Sequence, residues 1–108
     1  MVEATDGTSS TPGCAHFLSL YRAVHDPDRI AAYRELGGPA LEAAGGRFVA
    51  RATASAAFEA GLRDRVVIIE FDDVDAAVAA YRSPAYREAL DALGGGADRD
   101  IRVVAPVD

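Results

Sequence analysis

A chain of 108 residues, half of them hydrophobic, has room for one domain with a modest core and not for two. Its net charge of −6 and pI near 4.8, with the arginines dispersed, argue against nucleic acid or an anionic membrane surface as partner. The single cysteine, Cys14, rules out an intrachain disulfide and a thiolate metal cluster and fits a reducing cytoplasm. No apolar run reaches the roughly 18 residues of a membrane helix.

Residues 1–13, rich in Thr, Ser and Gly, have no hydrophobic period and no secretory features, and read as a disordered leader to a single domain over 14–108. Residues 15–24 alternate as a strand, with Leu18, Leu20 and Val24 on one face and Phe17, Ser19 and Tyr21 on the other. Asp26 caps and Pro27 opens a helix carrying Ile30, Tyr33 and Leu36. Gly37-Gly38 is expected to interrupt it, with Pro39 opening a second short segment that Gly45-Gly46 stops. Residues 47–54 read as a second strand, Arg47, Val49, Arg51 and Thr53 facing one way and Phe48, Ala50, Ala52 and Ala54 the other. A loop around Gly61 follows.

Residues 65–90 organise the rest. Val66, Val67, Ile68 and Ile69 are apolar at consecutive positions of a strand, so both of its faces need cover. Asp72 or Asp73 caps the next helix, with Val74, Ala77, Val78 and Tyr81 at helical spacing. Ser83-Pro84 breaks it and starts a new segment bearing Tyr86, Ala89, Leu90 and Leu93. Residues 100–107 read as the last strand.

The order β-α-β-β-α-β is the ferredoxin-like pattern, an α+β fold with a four-stranded antiparallel sheet and helices on one face. One sheet face is then left open while its strands are apolar, which predicts a homodimer joined through that face.

Asp26-Pro27, Tyr33, Pro39 with Leu41, Gly45-Gly46-Arg47-Phe48, the run from Val67 to Phe71, Ala76-Ala77, Tyr81, Ser83-Pro84 and Tyr86 together resemble the domain-of-unknown-function family 1330. The resemblance spans about residues 17–104 and implies the dimeric α+β barrel architecture. That superfamily includes cofactor-independent monooxygenases, polyketide cyclases, lactone isomerases, haem enzymes and stress-response modules, so the resemblance implies a fold and a pocket but no one reaction. The chain departs from the family in having Leu93-Gly94 where a basic residue is usual, and Val107-Asp108 in place of a Glu-Gly close.

Glu70, after four apolar strand residues, is a candidate general base, or else the partner of Arg47 or Arg51 in an ion pair. Arg47 and Arg51, expected on one strand face, can hold a carboxylate, enolate or phosphate between them, or else lie solvated on an edge strand. His16 and His25 are the only imidazoles and are candidate acid–base residues, though a lone histidine is more often structural. Tyr21, Tyr33, Tyr81 and Tyr86 offer hydroxyls to a ligand between helices and sheet, or serve as core residues with a polar tip. No metal site and no cofactor motif is legible. The expectation is a small-molecule enzyme without bound cofactor, of cyclase, isomerase or monooxygenase type. The alternative is a non-catalytic dimer that binds a ligand or protein, with a haem-handling protein as a third reading.

Overall fold

The structure, a computed structural model, describes residues 13–107. Apart from Gly13, the expected leader lies outside the described residues. Strand β1 (Ala15–Val24) is followed by helix α1 (Pro27–Ala43), strands β2 (Arg47–Thr53) and β3 (Arg65–Phe71), helices α2 (Val74–Tyr81) and α3 (Pro84–Leu93), and strand β4 (Ala97–Val104). The strands form one antiparallel sheet in the order β2-β3-β1-β4. The sheet is open, and the fold is the ferredoxin-like α+β arrangement expected of the element order.

Each helix starts where a side-chain oxygen meets the orphan amides of a first turn. The Asp26 carboxylate accepts from the amides of Asp28 and Arg29 at 3.0 and 3.3 Å. Asp73 accepts from the Ala76 amide at 2.7 Å, and the Ser83 hydroxyl from the Tyr86 amide at 3.2 Å. Proline stands at the first turn of both α1 and α3, where its missing N–H costs nothing.

Three local expectations are corrected. Helix α1 runs unbroken through Gly37, Gly38 and Pro39. A Cβ at Gly37 would lie 2.7 Å from the ring of Tyr33, so the glycine is there to let that ring lie against the helix backbone. Burial of Ile30, Tyr33, Ala40 and Leu41 on the same helix outweighs the roughly 1 kcal/mol per glycine and 3 kcal/mol for proline that local propensity charges against it. Strand β4 begins at Ala97, three residues before the expected start at Asp100, because β1 is long enough to pair with it down to Val24.

The third correction concerns β2. Its register against β3 shifts between Phe48 and Ala50, so Val49 is an extra, unpaired residue. Phe48 and Arg51 then lie on the helix-covered face, opposite Ile69 and Val67, while Arg47 lies opposite Glu70 on the other face. Strict alternation had put Arg47 and Arg51 together.

The core fills the space between helices and sheet. Phe17, Ile69, Phe71 and Tyr86 are its largest fully buried side chains. Gly46, at the turn from α1 into β2, sits where a Cβ would come within 2.9 Å of Ile69, Phe71 and the Leu41 carbonyl, so only glycine lets helix and sheet approach this closely. On the uncovered face, Leu18, Leu20, Val66 and Ile68 are half-buried. None of the helices is long and apolar enough to cross a membrane, among the described residues.

Candidate functional site

The sheet presents three rows of side chains to α1. Tyr21 of β1 is paired with Arg99 of β4, and Arg65 of β3 follows in line on the other side. In the next row Arg51, Val67, Ser19 and Ile101 run across the four strands, and in the third Phe48, Ile69, Phe17 and Val103. Above these rows α1 contributes Tyr33, Arg34, Gly38 and Leu41. Between helix and sheet lies a cavity of about 120 Å³, floored by Phe17, Ser19, Val67 and Ile69.

Its polar lining is one-sided. Arg34, Arg51, Arg65 and Arg99 border it, with Ser19, Tyr21 and Tyr33, and among the described residues no aspartate, glutamate, histidine or cysteine does. Arg51 lies over the Phe48 ring at 4.3 Å and Arg99 over the Tyr33 ring at 4.7 Å, so both cations are steadied by aromatic faces. Burial, together with the nearby charges of Arg34 and Arg51, depresses the pKa of Arg65 below the usual arginine value.

At the β4 end the Tyr33 and Tyr86 hydroxyls are 2.6 Å apart, and Arg99 donates to both, at 3.1 and 3.4 Å. Burial, and then the neighbouring Tyr33, push the Tyr86 phenol well above its ordinary range, while Arg99 pulls the other way. The folded chain thus holds this proton at pH values where the unfolded chain releases it. Stability is full below pH about 10 and falls above it, by about 1.4 kcal/mol per pH unit, until the folded-state value is reached. Urea titrations from pH 9 to 11.5 should show this slope in the wild type, and Tyr86→Phe should flatten it by one proton's worth.

The expected site residues divide between different places. Tyr21, Tyr33 and Arg51 border the cavity, and Tyr86 lies just behind Tyr33. Tyr81 packs on Phe17 and Tyr86 at 6.1 and 5.4 Å and faces a separate surface groove shared with Arg82 and Arg87. His25 pairs with Asp98 at 3.0 Å in the open, beyond the end of the sheet. Glu70, His16 and Arg47 lie on the opposite, uncovered sheet face.

There Glu70 is only 4% exposed. Arg47 donates to its Oε1 at 3.3 Å and also to Asp72 at 3.2 Å, with the Cys14 sulfur 3.6 Å away. His16 Nε2 is 3.9 Å from Glu70 Oε2, an oxygen with no hydrogen-bond partner among the described residues. Glu70, His16 and Arg47 therefore do not share the helix-side cavity with Arg51, because the sheet stands between them. Glu70 has instead the ion-paired surroundings of the structural alternative.

Arg34, Arg65, Arg99 and Ser19 join the site without being among the candidates that the sequence offers. Arg99 was legible in principle, since Arg99, Ile101 and Val103 alternate with Asp98, Asp100 and Arg102 once the strand is started at Ala97. The other three carry no local signal. Among the described residues no group of three or more acidic, histidine or cysteine side chains is placed to hold a metal ion.

Residues 15–107 match the family described as Domain of unknown function (DUF1330). The chain belongs to the DUF1330 family. No curated protein matches it. Among solved structures, RPA0582, a protein of unknown function from Rhodopseudomonas palustris, is 27% identical, with a TM-score of 0.69 for its methylated form over 93% of this chain and 85% of that one. SnoaB of Streptomyces nogalater, described as a cofactor-independent oxygenase, is similar at 15% identity and TM-score 0.60 over 89% of this chain and 95% of its own. A dimeric ferredoxin-like protein of unknown function from Thermobifida fusca is similar at 22% identity and TM-score 0.57, over 87% and 92%. With these last two the DUF1330 chain shares its ferredoxin-like fold.

Proposed function

We propose that this DUF1330 protein takes a small organic acid into the cavity between α1 and the sheet and acts on it without a bound cofactor, as cyclases, isomerases and cofactor-independent monooxygenases do. One observation carries the reading: four arginines border a cavity with an apolar floor in a chain of net charge −6, and no carboxylate joins them among the described residues. Arg65 faces the like charges of Arg34 and Arg51, and an anionic ligand removes that repulsion. Chemistry follows from the same wall. Cationic donors fixed around an enolisable acid stabilise its enolate or phenolate, and preorganised stabilisation of developing charge is commonly the largest single contribution to catalysis. The shared fold of a cofactor-independent oxygenase supports the choice of reaction types.

The same proposal joins two copies through the uncovered sheet faces, where Leu18, Leu20, Val66 and Ile68 are half-buried without a helix above them. A neighbour of the same fold is described as dimeric. Sedimentation velocity should then give a species near twice the 11.3 kDa of one chain. The buried lone cysteine fits a cytoplasmic setting.

A non-catalytic ligand-binding dimer is the second reading, favoured by the lack of any histidine, cysteine or carboxylate in the cavity lining among the described residues. The two separate on one experiment. Calorimetric titration with benzoate should show binding that weakens with added salt. In D2O the protein should then speed exchange of the methyl protons of 4-acetylbenzoate, followed by NMR. Binding with no acceleration leaves the binding module, and the absence of binding sinks both readings.

A further inference from the structure

We infer that the ligand is a keto acid, its carboxylate held by Arg34, Arg51 and Arg65 and its carbonyl oxygen by the hydroxyls of Ser19 and Tyr33. The inference rests on the anion-binding reading above and adds a second polar group to the ligand, at a defined place.

Ser19 is the first reason. It lies mid-strand on β1, in the apolar floor between Phe17 and Tyr21, and is 3% exposed. Its Oγ has no hydrogen-bond partner among the described residues. A buried hydroxyl left unpaired is destabilising, and such groups in folded proteins usually answer to something. Here the hydroxyl borders the cavity.

The tyrosine pair is the second. Two phenols 2.6 Å apart share one hydrogen bond, and both accept from Arg99. That arrangement spends one phenol proton and leaves the other. Tyr86 is fully buried and does not border the cavity, whereas Tyr33 does. When Tyr86 donates to Tyr33, the Tyr33 proton remains for the cavity.

The unspent protons of the site lie on guanidinium groups and on two hydroxyls, and a ligand group that only accepts can take all of them. A carboxylate accepts without donating, and suits the guanidinium groups borne by β2, β3 and α1. At the β4 side, beyond Ser19, a carbonyl accepts two hydrogen bonds through its two lone pairs. A ligand hydroxyl there could accept from Tyr33 and donate to Ser19 Oγ, but that leaves the Ser19 proton unspent, whereas a carbonyl takes both protons. Between the two poles, Phe17, Val67, Ile69 and Leu41 offer an apolar slot. A cavity of roughly 150 Å³ accepts a benzene ring, so this one, at about 120 Å³, is on the scale of a single ring or a short branched chain.

The test compares 4-acetylbenzoate with 4-isopropylbenzoate, which has the same number of heavy atoms but carries a methyl group in place of the carbonyl oxygen, and uses benzoate as the reference. Calorimetry on the wild type should give the acetyl compound an advantage of about tenfold over the isopropyl compound, the worth of one or two buried hydrogen bonds. Ser19→Ala should collapse most of that advantage, and Tyr33→Phe should do the same. Equal affinities in the wild type overturn the keto-acid inference while leaving anion binding in place. An advantage untouched by Ser19→Ala also overturns it, since the hydroxyl would then serve only a structural water. If benzoate itself fails to bind, the underlying reading falls first and takes the inference with it.

Discussion

Replacing Tyr86 with alanine is expected to cost about 3–5 kcal/mol, a large share of the roughly 5–15 kcal/mol that holds a small domain folded. Tyr86 is fully buried, packed edge-on against Tyr33 at 5.9 Å between ring centroids and tilted against Tyr81 at 5.4 Å. Removing the ring leaves a cavity at the junction of α1, α3 and the sheet, and its walls are themselves aromatic and slow to collapse. Tyr86→Phe keeps the ring and gives up only the hydroxyl bonds to Tyr33 and Arg99, so about 1 kcal/mol is expected. Urea denaturation of the two variants checks the order. Equal losses would mean that the polar cluster, and not the packed ring, holds this part of the core.

Arg65→Gln should move binding and stability in opposite directions. The guanidinium of Arg65 is partly withdrawn from water and faces the charges of Arg34 and Arg51, a combination that depresses its pKa. Without an anion this arrangement is unfavourable, and on the proposed reading an anion relieves it. Losing one charge-assisted hydrogen bond, about 1.5–3 kcal/mol, should weaken benzoate binding by roughly 10- to 100-fold. The ligand-free protein should gain about 0.5 kcal/mol after solvent screening, a rise in Tm of about 2–4 °C that shrinks as salt is added. A variant that lost affinity and stability together would show that Arg65 is a packing residue.

Much of the fold was legible because its boundaries are written in local chemistry. Asp26-Pro27, Asp73 and Ser83-Pro84 are caps whose geometry follows from the residue types, and all three start helices as read. Where tertiary packing overrides local preference the reading failed. Gly37 looks like a helix breaker until the Tyr33 ring that needs its missing Cβ is in view. The site was legible only in its tyrosines and Arg51. A lone serine mid-strand has no distinguishing signal, and Ser19 gains meaning only from the cavity above it. Arg34 and Arg65, nearly a third of the chain apart, come together only through the packing of α1 on β3. The burial of Glu70 follows from the apolar run before it, but burial does not reveal on which side of a sheet a carboxylate lies.

The bulge at Val49 bears on how such chains should be compared. Arg47 and Arg51 are separated by an even step, which in an unbroken strand would aim both the same way. The unpaired residue turns that even step into an odd one, giving one cation to the cavity and the other to Glu70. A strand lacking Val49 would place its arginines three apart and reach the same two faces by plain alternation. The arrangement thus has two spellings of different length. An alignment that counts columns without spending a gap here would score the shorter spelling as having lost an arginine that it keeps in space.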